Sequence, residues 1–107
     1  MTIGTYDYLY LGGAPADEDC KQVGIDDPIE QKKEAARFGI ALDRFYKEKL
    51  DRFPGDIYLS LKRESHDFGD YWDVIVQYNV ENEGARQLAI EIEENCPLTW
   101  AELEGGK

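Results

Sequence analysis

The sequence predicts an α+β domain with elements in the order β-α-β-β-α, a three-stranded antiparallel sheet with two helices packed on one face. Three observations lead there. Residues 5–11, 56–64 and 71–79 are rich in β-branched and aromatic side chains and alternate in polarity, the period of a half-buried strand. Two other segments repeat apolar residues every three or four positions, the period of a helix lying on a core. A chain of 107 residues, 42% hydrophobic, has the size and composition of a single domain over residues 1–107.

The first strand, residues 5–11, places Tyr6, Tyr8 and Tyr10 on one side and Leu9 and Leu11 on the other. Gly12, Gly13 and Pro15 end it, and an acidic loop runs on to Asp26 and Asp27. Asp27-Pro28 is a helix start: an aspartate can cap open amides, and proline suits the first helical position. The first helix is expected to reach Leu50, with Ala35, Phe38, Leu42, Phe45 and Leu50 turned inward and Pro54-Gly55 stopping it. Residues 56–64 and 71–79 follow as a hairpin with residues 65–70 as its loop. The second helix begins at Glu81 or Asn82, ends near Asn95 before Pro97, and turns Ala85, Leu88, Ala89, Ile92 and Cys96 inward. Leu98, Trp100 and Leu103 give the tail an anchor with which to pack back on the domain. A right-handed crossover puts the first strand beside the third and leaves the second at an edge.

Strand alternation divides the sheet. Ile57, Leu59 and Leu61 share a side with Trp72, Val74, Val76 and Tyr78, and belong under the helices. The other side carries Tyr6, Tyr8, Tyr10, Tyr58 and Tyr71 among Ser60, Lys62, Asp73 and Gln77. With helices on one side only, these tyrosines are left as a surface. Tyrosine is enriched at binding hot spots, so the face reads as a protein interface, including one for self-association into a homodimer. The alternative is that the loops or the tail cover it, or that tyrosine pairs simply stabilise the sheet.

Charge is distributed unevenly along the chain. Of the net −11, residues 21–63 carry ten bases against eight acids, and residues 64–107 carry eleven acids against two bases. An acidic field repels nucleic acid and anionic lipid and draws in basic surfaces. Single-stranded RNA stacking on the tyrosine face is therefore disfavoured, because phosphate contacts need Lys and Arg. Glu83, Glu91, Glu93 and Glu94 on the second helix, with Glu81 before it and Asp67, Asp70 and Asp73 in the hairpin, form the candidate partner-binding carboxylates. Rows of carboxylates on a rigid scaffold can imitate the phosphates of a nucleic-acid backbone, although an ordinary solvated helix has the same composition.

Signatures of catalysis are lacking. His66 is the sole histidine, and its neighbours Asp67 and Asp70 are expected to shape a solvated turn and not to hold a metal. Asp17, Glu18 and Asp19 do not follow the spacing of a calcium loop. Gly12-Gly13-Ala14 lacks the further glycines of a phosphate-binding turn. One histidine and no serine in a nucleophile elbow leave no triad. Cys20 and Cys96 are expected to be free thiols, Cys20 unreactive among anions and Cys96 a small core residue. Neither a cofactor nor a metal is expected. No apolar run is long enough to cross a bilayer and the amino terminus does not read as a signal peptide, so the expected location is cytoplasmic, with no membrane partner.

In size, acidity and mixed topology the chain resembles the small proteins that phages and plasmids deploy against host defence, the anti-CRISPR and antirestriction proteins. The opening Gly4-Thr5-Tyr6-Asp7-Tyr8, the Glu18-Asp19-Cys20 segment, His66-Asp67-Phe68-Gly69 and the Trp100 tail carry the likeness. That resemblance implies a non-enzymatic inhibitor that occupies a basic, nucleic-acid-binding site on a protein, as a DNA mimic does, and it transfers no individual residue. The alternative is a self-associating structural or adaptor domain built on the tyrosine face.

Overall fold

The computed structural model describes residues 5–13, 28–66, 69–97 and 99–105, with the side chains of residues 66, 69, 70, 104 and 105 outside that description. Its elements are β1 (Tyr6–Gly12), α1 (Pro28–Phe45), α2 (Lys47–Leu50), β2 (Ile57–His66), β3 (Gly69–Asn79), α3 (Glu83–Glu94) and α4 (Trp100–Gly105). The expected acidic loop, Cys20, the Asp27 cap, Asp67 and Leu98 lie outside the described residues.

The fold is α+β. The strands form one antiparallel sheet in the order β1-β3-β2, so the last strand is central and β2 lies at an edge, as the crossover argument requires. Register follows the alternation of the side chains. Leu9 opposes Val76, Leu59 opposes Val76 from the other side, and Leu61 opposes Val74. These residues join Ile57 and Tyr78 in a single core with Ala35, Phe38 and Leu42 of α1 and Ala85, Leu88, Ala89 and Ile92 of α3. α1 lies over β3 and β2, whereas α3 lies over β3 and β1. Both long helices therefore cover one face of the sheet.

Three boundaries differ from expectation. The first helix breaks at Tyr46, whose backbone (φ −104, ψ 12) leaves helical geometry before α2 begins. The break turns the Tyr46 ring into the core in place of Phe45, which is exposed, and the two rings meet edge to face at 4.9 Å. The Tyr46 hydroxyl donates to the Asn95 carbonyl (3.2 Å), and burial pushes its pKa up to about 12. The hairpin loop is also shorter than residues 65–70, because pairing continues through Ser65 with Asp70 and His66 with Gly69. Ser65 and Asp70 are polar, but a ladder at the end of a hairpin is held by backbone bonds and needs no apolar partner. Finally, the tail is helical: Leu103 is buried and Trp100 stands edge to face with Phe38 at 6.5 Å, anchoring α4 to α1.

Two buried polar arrangements fix how the layers meet. Gln31, 5% exposed on the first turns of α1, spans the end of β3: its Nε2 donates to the Trp72 carbonyl (2.9 Å) and its Oε1 accepts from the Trp72 amide (2.6 Å). β1 has already left the ladder at Gly12, so the glutamine side chain stands in for a missing peptide group. Gly13 passes close by, where a Cβ would lie 3.0 Å from Gln31 Nε2 and 3.1 Å from the Trp72 oxygen. At the opposite end, Asp56 accepts from Asn82 Nδ2 (2.8 Å) and Asn79 Nδ2 (3.2 Å), while Asn82 Oδ1 caps α3 by accepting from the Ala85 amide (3.1 Å). The Asn82 bond foremost, and then the Asn79 bond, hold the Asp56 carboxyl below the usual carboxylate range.

Candidate functional site

The tyrosine face exists as the alternation predicts. Tyr6, Tyr10 and Tyr58 are 39%, 43% and 43% exposed, and Tyr8 and Tyr71 are half-buried. Among the described residues no element packs on this side of the sheet. The rings are not independent. Tyr6 and Tyr58 lie 5.9 Å apart across the central strand, and Tyr8 and Tyr10 meet edge to face at 5.4 Å. Lys62 stands over the Tyr8 ring at 5.1 Å and pairs with Glu64 at 3.7 Å. The Tyr10 hydroxyl donates to Glu64, a bond that raises its own pKa because the phenolate would face a carboxylate. The Tyr6 hydroxyl donates to the Gly55 carbonyl (2.6 Å). Ile75, opposite Tyr10 and Ser60, is buried at the centre of the face, which therefore has a small apolar floor under an aromatic rim. Asp73 sits on this face beside Lys62.

The acids of α3 do not share one surface. At about 100° per residue, Glu83 and Glu94 point away from the core, Glu91 lies on one flank and Glu93 on the other. Glu91 binds Lys49 of α2 (2.7 Å), and Glu83 is held by Arg86 (3.7 Å) and by Gln87, whose Nε2 donates to it (2.8 Å). Glu93 lies on the Tyr78 side, where burial and then Asp7 raise the Tyr78 pKa. Among the described residues Glu81, Glu93 and Glu94 form no ion pair and are exposed. The backbone of Asp70 lies in β3, at the hairpin end farthest from Asn79 and α3. Asp73, on the tyrosine face, is likewise separate from the helix carboxylates.

On a larger scale the charge is segregated. Residues 28–66 carry nine bases against seven acids, whereas residues 81–104 carry seven acids against Arg86 alone. Folding places α3 over β1 and leaves α1 with β2 at the opposite side of the sheet. Among the described residues there is thus an acidic side and a near-neutral one.

Among the described residues no group of three or more His, Cys, Asp or Glu side chains is placed to hold a metal ion. Cys96 is half-buried against the core, its thiol directed to the Leu11 carbonyl (3.9 Å), and burial followed by Glu102 raises its pKa to about 11. No described helix is long and apolar enough to cross a membrane. Sequence reasoning missed the Gln31 bridge, since a glutamine on an amphipathic helix has no signal distinguishing it from a surface residue. It also missed the Lys49–Glu91 contact, which joins residues 42 positions apart. No family model matches the chain, and neither the curated proteins nor the solved structures compared with it gave a match.

Proposed function

We propose that this is a non-enzymatic, cytoplasmic binding protein that docks its acidic side on a basic protein surface, of the kind that otherwise holds nucleic acid. A DNA-mimic inhibitor encoded by a mobile element would act in this way. The observation that carries the reading is the segregation of charge: seven carboxylates against one arginine over residues 81–104, on a scaffold whose opposite side is close to neutral. Such an arrangement gives the molecule a direction of approach, and field complementarity contributes chiefly to encounter rate and partner choice. Glu81, Glu93 and Glu94 are the carboxylates to which a basic partner has access without first breaking an ion pair among the described residues.

The test is capture of partners from a lysate at low and at high salt, with wild type and a Glu81→Lys, Glu93→Lys, Glu94→Lys triple variant. The reading expects nucleic-acid-binding proteins retained by wild type at low salt, released by duplex DNA, and not retained by the triple variant. Identical retention by both proteins would remove the acidic side from the account.

A second reading has its own support in the tyrosine face. Its exposed rings around buried Ile75 have the form of an interface with an apolar centre and a polar rim. In that reading Tyr10→Ala with Tyr58→Ala abolishes partner capture while the triple charge reversal leaves it unchanged.

A further inference from the structure

We infer that the outer edge of β2, with the groove between it and α1, is an interface for a second copy of this chain, joined as an antiparallel β2–β2 pair into a six-stranded sheet. The backbone supplies the first reason. Gln31 binds both backbone groups of Trp72 on the β1 side of β3, so the alternate residues of β3, from Tyr71 to Asn79, turn theirs toward β2. The bond from the Asn79 amide to the Asp56 carbonyl (2.8 Å) fits that phase. Tyr58, Ser60, Lys62 and Glu64 therefore face β3, and Ile57, Leu59 and Leu61 turn their amides and carbonyls outward. β2 is ten residues long, contains no proline and pairs without a bulge, so of the devices that blunt an edge it has only the charges of Lys62, Arg63 and Glu64. β1, the other edge, is seven residues long and carries a bulge between Tyr10 and Gly12.

Side chains supply the second. Beside the edge, Ala36, Gly39 and Ile40 of α1 and Leu59 and Leu61 of β2 line an apolar groove, and Ile40 is 56% exposed over it. Asp43 and Arg44 also line the groove, beside Ser60, and among the described residues neither forms an ion pair. A two-fold axis through Ser60 sets Leu59 of one copy against Leu61 of the other. It also runs the two α1 helices antiparallel, so that Asp43 of each copy can meet Arg44 of the other. A surface that carries adjacent charges of opposite sign beside an apolar patch is complementary to itself.

Long-range charge supplies the third. Two chains of net charge −11 repel, but they approach here through the side that carries nine bases against seven acids, with α3 held over β3 and β1. The inference is independent of the acidic docking surface, which stays outward in the dimer.

The experiment is sedimentation equilibrium of the whole chain over a range of concentrations. Its subjects are wild type, Ile40→Glu, Asp43→Arg, Arg44→Asp and the Asp43→Arg/Arg44→Asp double variant, each shown by circular dichroism to keep the wild-type fold. All three substitutions alter exposed positions, so loss of the fold is not expected. Wild type should dimerise, Ile40→Glu should abolish the dimer, and each single charge reversal should weaken it roughly tenfold or more, with like charges now opposed. The double variant exchanges the two charges and should restore most of the affinity. A wild type that stays monomeric throughout, or a dimer that Ile40→Glu and the single reversals leave unchanged, would overturn the inference.

Discussion

Gln31 offers the sharpest test of how this small domain holds its two layers together. Its side-chain amide satisfies both the amide and the carbonyl of Trp72, where β1 no longer reaches. Replacing it with methionine keeps the length and most of the volume but removes both bonds. Each backbone group left buried without a partner costs about 1–3 kcal/mol, so the pair should lower stability by about 2–6 kcal/mol. At a slope of about 2 kcal/mol of stability per molar urea, central for small proteins, the expected fall in the unfolding midpoint is about 1–3 M. Gln31→Glu adds a signature that simple loss of packing cannot imitate. An ionised glutamate still accepts from the Trp72 amide but repels the Trp72 carbonyl, whereas a protonated one can donate to that carbonyl. The folded state thus favours the neutral acid and raises its pKa above the ~4.3 of an unfolded glutamate. The deficit of Gln31→Glu against wild type should therefore be small near that value and grow as pH rises toward neutrality. Urea titrations at several pH values read both effects. A Gln31→Met midpoint indistinguishable from wild type, or a Gln31→Glu deficit that does not vary with pH, would refute the bridge.

Other outcomes follow from the same contacts. Asp56 has a depressed pKa, held by Asn82 and Asn79, so its contribution is present above the ~3.9 of an unfolded aspartate and is lost as pH falls through its folded value. The stability difference between wild type and Asp56→Ala should accordingly be full at neutral pH and shrink in acid, and a difference independent of pH would contradict this. Gly84→Ala places a Cβ 2.6 Å from Phe53 Cε1. The overpacking, about 1–3 kcal/mol, should outweigh the ~1 kcal/mol of helix propensity that alanine gains. Adding Phe53→Leu should recover part of the loss in thermal unfolding, and a stabilised Gly84→Ala would show that the ring yields freely. Cys96, its pKa raised to about 11, should react with iodoacetamide far more slowly in the native chain than in urea, as followed by peptide mass mapping. Equal rates in the two states would contradict its burial.

Much of the fold is legible in the residues themselves. The alternation of Leu9, Ile57, Leu59, Leu61, Val74 and Val76 against the tyrosines fixes which side of each strand meets the helices. Asn82 marks the start of α3 because a short amide side chain can reach the Ala85 amide. Illegible features depend on distance in the sequence or on local competition. Helical periodicity runs through Tyr46 without interruption, and the break there reflects tertiary burial of one aromatic ring in preference to its neighbour. In the hairpin, polar residues 65 and 70 look like a loop because backbone pairing leaves no mark on composition. The acids of α3 read as a single face, yet Lys49, far off in sequence, takes Glu91 out of it. The tyrosine surface was visible from period alone, whereas buried Ile75 at its centre required the cross-strand register.

The central claim, that the acidic side docks on a basic nucleic-acid-binding surface, is tested most directly by competition. A protein captured at low salt is titrated with wild type and with the Glu81→Lys, Glu93→Lys, Glu94→Lys variant in the presence of labelled duplex DNA, and displacement is read by fluorescence anisotropy. The account predicts that wild type displaces the DNA, less effectively as salt rises, and that the triple variant does not. Simultaneous binding of wild type and DNA, or equal displacement by the two proteins, would contradict it.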